Sequence, residues 1–555
     1  MERHSLPDLV LRRKGNTIFV GELLFYASIA YLALPLFLFF PGYLQWYLAL
    51  GMEGFLAFGL FYGVKAVRQS RKRVVLQANS SQVILTAPQI FLLLVVVLGW
   101  MLVSGVGGYG FQDEDWVKHN AVLHDLIHSP WPLSYAAPTE QLPLSSDAKM
   151  ARFPLVYYVA YYLPAAMIGK FAGWFWAQQF LFLWTYLGVC LALLWFLVLV
   201  GRSTWPVLLL FVVFSGLDSV GLSLIRILLH QPLLIRHWDQ IELWSGNWQY
   251  SANTSLVFWV PNQAISGWMI SAMLLYLLRV ATLRSTILFY ISLTALWSPF
   301  ITLGLTPLLF ADLVLGAKPF SKKLREYFSL PNGCGVVLLF LFGAFYSTKL
   351  YPTGLPLPSI QKGLIFLSPR IPGLFWYETL VLLLAFFLLE VGIYAIIIST
   401  AGRKFLHPRE RTIFSFLMLF LFILPFYRYG YWNDIVMRAS IPALFLICVF
   451  TVRTFSRLSW KQGATFVLVI TLLLGAATPL IEFKRHVKGM QTKTTLFELP
   501  RQQPLYSVHY PVDPAFFLQY IGKAETPFFT YMAKPLNNSL RIENLEFLNR
   551  SASSH

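Results

Sequence analysis

The chain has 555 residues, of which 57% are hydrophobic, 17% aromatic and 12% charged. Soluble domains run nearer half apolar and a quarter charged, so a soluble enzyme, a secreted disulfide scaffold and a disordered chain are excluded. The formal charge of +18 reads as membrane topology, since basic residues mark one side of a polytopic protein, and not as a nucleic-acid surface.

A basic start (Arg12, Arg13, Lys14) precedes an apolar run over 17–40. That run is too long for the core of a cleaved signal and predicts a first anchor. Spans follow at 43–64 and 83–104. Between them lie Lys65, Arg68, Arg71, Lys72 and Arg73, a cytoplasmic marker that puts the N-terminus inside and the loop 105–153 outside. Residues 154–169 are short, Tyr-rich and broken by Pro164, which predicts a helix lying in the outer interface. A long span, 174–200, stops at Gly201-Arg202.

Further spans are predicted at 205–222, 263–281, 285–298, 299–316, 334–347, 373–399, 412–426, 440–450 and 463–480. The total is about thirteen, several of them shorter than the ~20 residues of a straight crossing. The reading is an all-α polytopic protein of the cytoplasmic membrane. Its membrane domain is 1–481, with a second outer loop at 223–262, and its outer C-terminal tail or small subdomain is 482–555. Of the 43 Lys and Arg, 23 fall in the segments assigned to the inside, as the orientation requires. Cys190, Cys334 and Cys448 lie in or beside apolar runs and read as small buried hydrophobes.

Polar residues gather in the outer loops. After a glycine-rich turn the first loop reads Asp113-Glu114-Asp115-Trp116-Val117-Lys118-His119-Asn120. Carboxylates this close resist joint ionisation, so one should hold its proton longer. A carboxylate tuned in this way can take a proton from an attacking hydroxyl. Asp115 is the preferred base and Asp113 its alternative, with Glu114, Trp116, Lys118 and His119 as neighbours that bind or orient. The plainer reading is a solvated acidic loop balancing Lys118 and Arg152.

Arg428 and Arg438 bracket Tyr429-Gly430-Tyr431-Trp432-Asn433-Asp434 between two spans. An arginine's planar fork suits a phosphate, although Arg438 and Asp434 are also spaced to pair with each other. Lys349, Lys362 and Arg370 are further outer cations. The second loop offers Trp248 and Gln249 as lining for a polar pocket with stacking walls, and Asp218 near the outer end of its span is expected to face the same cavity. His124 and His128, four apart, are spaced to share a metal but lack an evident third ligand. No cofactor is required by any motif, and a divalent metal at Asp113-x-Asp115 is left open.

The order of an acidic outer loop, then Arg152-Phe153-Pro154-Leu155-Val156-Tyr157-Tyr158, then a long span ending at Gly201-Arg202-Ser203, resembles the GT-C class of membrane glycosyltransferases, such as the aminoarabinose and protein mannosyl transferases. Here two spans precede the acidic loop, where that class usually has one. The resemblance covers about residues 105–219. It implies a polyprenyl-phosphate-linked sugar as donor, an envelope acceptor on the outer face, and an acidic loop residue as base. The Asp115–Asn120 string also resembles one in an uncharacterised group of bacterial membrane proteins. Two other classes compete. Glu22, Glu53, Asp312 and Glu390, within or at the ends of spans, favour a transporter or flippase of lipid-linked saccharide. A non-catalytic envelope assembly protein on the same fold is the third reading.

Overall fold

The computed structural model describes residues 8–13, 16–19, 21–75, 82–138, 150–233, 240–350, 362–366, 375–430, 432–493, 495–508, 514–536 and 539–542. The chain is mostly helical, with a few short strands at its ends and in its loops. Among the described residues six helices are long and apolar enough to cross a membrane: Leu23–Tyr43, Trp46–Lys65, Trp174–Val200, Leu330–Ser347, Trp376–Ser399 and Gly463–Met490. Shorter apolar helices (Ala87–Val103, Leu163–Ala172, Pro299–Val314 and Ile441–Phe455) fill the spaces between them.

The helix Trp174–Val200 is apolar on every side and largely buried. The helix Pro261–Val280 packs beside it. Small residues let the backbones approach, as lipid-embedded helix packing demands. A Cβ on Gly188 would meet Tyr31 and Ile265, and one on Gly267 would meet Ile441 and Ile301.

Several predicted spans are interrupted, and the sequence chemistry at each break explains it. The segment expected as one span over 205–222 is two helices, Trp205–Val212 and Asp218–Leu228. The carbonyls freed between them find buried donors. Asn253 Nδ2 donates to Phe211 O at 2.8 Å, Thr254 Oγ1 to Val212 O at 2.7 Å and Tyr394 OH to Ser215 O at 2.9 Å. A broken helix survives in an apolar interior only with such partners. The 285–298 segment keeps a helix over Ile287–Ser292 alone, and Pro307 starts a second turn after Pro299–Gly304.

Two outer expectations change. Residues 155–162 do not lie on the lipid surface: all are buried, because the C-terminal segment covers them. Val156 N donates to Tyr520 O at 2.7 Å, and Leu155 bridges Ile521. The boundary at 481 falls inside a helix, since Ala477–Met490 continues the last apolar segment. The tail then straps one end of the molecule. Glu498 N donates to Gly108 O, Trp174 Nε1 to Pro500 O and Lys534 N to Tyr43 O, and Leu540–Arg541 adds a parallel strand to the hairpin of Ser134–Pro138 and Met150–Pro154. The first loop, the hairpin, Lys349 and the tail thus share one end.

A basic cluster is organised elsewhere. Glu410 accepts from Arg279 at 2.5 Å and Arg453 at 2.8 Å, while both arginines also donate to Leu199 O. A buried triad of this kind holds three helix ends in register.

Candidate functional site

The first loop folds because its glycines permit it. Gly105, Gly107, Gly108 and Gly110 all take positive φ. At Gly108 a side chain would also strike Glu498 O, so the turn and the tail can meet only over a glycine. The chain then enters the amphipathic helix Glu114–His128. Asp113 is its N-cap, with Oδ1 accepting from Asp115 N at 3.0 Å. Glu114 is exposed in the first turn, where its charge favours the helix dipole.

The two candidate acids are separated by environment. Asp113 is buried; its Oδ2 lies 3.7 Å from His486 Nε2 and accepts no hydrogen bond. Burial, and then the charges of Asp115 and Glu482, hold its carboxyl well above the ordinary value. Asp115 is partly open and pairs with Lys118 at 3.2 Å. Burial alone would raise it, but the Lys118 ammonium and the more distant Arg438 outweigh that and leave it below the ordinary value. Burial thus favours the protonated form of Asp113, while the neighbouring cations favour the ionised form of Asp115, so the two carboxyls are pushed apart by their surroundings.

Arg438 reaches this site from the far side of the chain. The turn after Tyr427–Tyr429 is sharp: Asn433 takes φ 60 and Gly430 φ 84, and the Asp434 carboxylate occupies the space where a side chain on Gly430 would lie. Asn433 fixes the turn by accepting from Tyr429 N and donating to Asn247 O. Asp434 and Arg438 do pair, Nε to Oδ1 at 2.7 Å. Arg438 Nη1 is nevertheless buried without a hydrogen-bond partner, so one arm of the fork is committed and another donor is available. Its charge bears on Asp115, Tyr157 and Tyr158.

Lys349 completes the cluster, held by an antiparallel bridge to Gly522 of the tail. It lies among the charges of Asp434 and Arg438, and burial lowers its ammonium to about 8. Tyr520 of the tail feels Asp115, Arg438 and Asp434 together. The first loop, the 154–162 segment, the 428–438 turn and the tail thus converge on one charged site whose central members are Asp115, Lys118, Asp434, Arg438 and Lys349. An ionised carboxylate beside several cations, with tyrosine hydroxyls around it, can accept a proton while holding an anion.

Other sequence candidates have structural roles. Trp116 is fully buried, donating from Nε1 to Phe258 O at 2.8 Å, so its ring is not free to bind a ligand. His119 is held at both nitrogens, by Tyr162 OH and by Trp259 O. Since a carbonyl only accepts, Nε2 carries the proton, and burial drops the imidazole to about 3. It is a neutral strut. Trp248 is buried and donates to Pro425 O, while Gln249 donates to Glu242 and Ser251. Arg428 is buried in its strand, and Arg438 is the arginine whose charge acts on Asp115. Asp218, expected to face the second-loop cavity, hydrogen-bonds Ser215 and Thr478 near Glu390, and its charge acts on Glu242 of that loop.

The metal options do not fit these residues. Asp113 turns to His486 while Asp115 turns to Lys118, so the pair cannot chelate one ion. His124 binds Asp125 at 2.9 Å, and among the described residues no group of three metal-ligating side chains gathers.

Tyr520 was beyond sequence reasoning, because its place depends on how the tail folds back. Tyr158 was visible only as part of a Tyr-rich string. Comparison with protein-family models, with curated proteins and with solved structures finds no match to this chain.

Proposed function

We propose that this protein is a membrane glycosyltransferase that moves a sugar from a polyprenyl-phosphate donor to a cell-envelope acceptor on the outer face of the cytoplasmic membrane. The observation that carries the reading is the meeting of Asp115 and Lys118, on one helix, with Arg438 and Lys349 from two further segments. Asp115 accepts the proton of the acceptor hydroxyl as that oxygen bonds to the sugar's anomeric carbon. The bond from that carbon to the phosphate oxygen breaks, and its electron pair leaves on the lipid phosphate. Arg438 and Lys349 bind that phosphate, with the free Nη1 of Arg438 as the fixed donor. Lys118 keeps Asp115 ionised, and Tyr158 and Tyr520 line the approach. About thirteen crossings, with the N-terminus inside and the C-terminus outside, would put this end of the molecule on the outer face. The likeness of residues 105–219 to the GT-C class supports the same reading.

The test is transfer of labelled sugar from a panel of polyprenyl-phosphate sugars to envelope extract by the purified protein, comparing wild type with D115N and D113N. Loss in D115N with folding and donor binding retained supports the reading. Equal transfer by wild type and both variants removes Asp115 from the mechanism. A second reading, transport of lipid-linked saccharide, is favoured by one observation, the buried carboxyls inside the apolar helices. Movement of labelled lipid across vesicles without transfer would establish it instead.

A further inference from the structure

A second group of acids lies away from the charged site. Asp218 opens the helix after the broken 212–217 segment and is fully buried. Glu390 sits in the apolar helix Trp376–Ser399, about 21 Å along the axis from Trp376 at the usual rise per residue. The helix widens there into a π turn, Leu388–Gly392, a local geometry frequent at functional positions. Glu242 reaches the group from the second loop and is also buried.

Asp218 and Glu390 each have half of their carboxyl satisfied. Asp218 Oδ2 accepts from Ser215 Oγ and Thr478 Oγ1, both at 2.8 Å. Glu390 Oε1 accepts from Trp244 Nε1 at 2.8 Å. The remaining oxygens, Asp218 Oδ1 and Glu390 Oε2, are buried and receive no N–H or hydroxyl donor, while Leu217 N donates to Leu389 O at 3.2 Å and ties the two segments side by side, so that the two carboxyls act on each other. Two carboxylate oxygens can share a hydrogen bond only if a proton sits between them. Glu390 Oε2 is also pressed against Gly216, where any side chain would collide with it. Beside it is a small cavity lined by Ser215, Gly216, Ser251, Asn253 and Glu390.

The titratable groups facing the pair are Glu242, Tyr250 and Tyr394. Among the described residues no basic side chain lies within ion-pair distance of Asp218, Glu242 or Glu390. Buried acids are ordinarily paired with a cation. Here a proton takes the cation's place. Glu242 accepts from Ala252 N and Gln249 Nε2, and its charge acts on both Asp218 and Glu390. Burial, then the Asp218 charge, lifts the Glu242 carboxyl to about 8.

We propose that Asp218 and Glu390 form a proton-binding site within the helix bundle, holding one exchangeable proton between Asp218 Oδ1 and Glu390 Oε2 and trading it with the loop end through Glu242. The step is a bare proton transfer in two parts: the Glu242 carboxyl first gives its proton to water at the loop end, and the carboxylate so formed takes the proton of the pair. This inference does not rest on the transferase reading.

The test is infrared spectroscopy of the full chain in lipid nanodiscs at neutral pH. A shared proton predicts a protonated-carboxyl C=O band that shifts in deuterium oxide and is lost in D218N and again, as the same band, in E390Q. Either amide supplies its own N–H and removes the need for the proton. E242Q should remove a different band and slow deuterium exchange of the first. Absence of the band in wild type, or loss of unrelated bands in D218N and E390Q, overturns the pair. Unchanged exchange in E242Q overturns the route. Two arms need only wild type: adding sodium or potassium chloride at fixed pH must leave the band in place, and its loss would assign the site to a metal cation.

Discussion

The molecule holds two acidic sites built on opposite terms. At the loop end, Asp115 and Asp434 are each matched by a cation, at 3.2 and 2.7 Å, and cations remain over. In the bundle, Asp218, Glu242 and Glu390 have hydroxyl, indole and amide donors and no cation within ion-pair distance among the described residues. The first arrangement keeps carboxylates ionised and attracts an anion. The second makes ionisation expensive and retains a proton. Residue type is the same in both, so the function of an acid here is set by which segments the fold brings to it.

The largest expected effect tests whether that division holds in catalysis. Removing a general base typically costs 10²–10⁴-fold, so D115N should lower transfer by about that factor with donor binding kept. D218N and E390Q should leave the chemical step intact, because neither side chain reaches the charged site. Equal losses in D115N and D218N, measured as single-turnover transfer, would merge the two sites and end the comparison. Next in size is Arg438. A hydrogen bond to a charged group is worth about 1.5–3 kcal/mol, so R438A should weaken donor binding by roughly tenfold or more. R438K should recover only part of this, since it keeps the charge and loses the fork. Donor titration by intrinsic tryptophan fluorescence reads both; full binding by R438A would take the phosphate away from this arginine.

A smaller effect sharpens the loop site through pH. The Lys349 ammonium is lowered to about 8 by burial. It is charged below that value and neutral above it. Donor affinity should therefore fall as pH rises through about 8, and K349R, which cannot be neutralised there, should flatten the fall. An unchanged pH profile in K349R assigns the slope to another group.

The class of the molecule was legible in its apolar runs, and so were the residues of the loop site, because Asp115, Lys118, Asp434 and Arg438 are charges where charges are costly. Their convergence was not. It is set by the tail, which lies hundreds of residues away and whose hydrogen bonds to Gly108, Tyr43 and the 154–156 segment leave no periodic signal. Asp434 and Arg438 illustrate the ambiguity: spacing alone allowed a pair or a phosphate ligand, and the geometry permits both, one guanidinium nitrogen for each. Trp116 and His119 read as site residues because they adjoin Asp115 in sequence. Trp116, one residue on, turns to the interior because neighbours in a helix face different ways, whereas His119, four residues on, shares the face of Asp115 but is tied at both ring nitrogens. Glu390 stood out only as an acid in an apolar run and Asp218 only as an acid near the end of another; that they meet became visible once the predicted 205–222 span proved to be broken.

The smallest expected effect concerns Asp113, and it is one of stability. Its folded carboxyl is held above the ordinary 3.8 by burial and by the Asp115 and Glu482 charges. The folded chain therefore keeps a proton that the unfolded chain gives up at lower pH. Whatever stability this contributes is present below about 3.8 and is lost as pH rises through the folded value. Asparagine caps a helix about as well as aspartate, so D113N keeps the bond to Asp115 N and removes the ionisable group. Thermal unfolding followed from acid to neutral pH should then decline less steeply in D113N than in wild type, with transfer activity unchanged. A parallel decline in the two proteins would mean that Asp113 ionises freely. Asp113 and Asp115 would then carry charge together, and the selective ionisation that singles out Asp115 as the base would lose its physical ground.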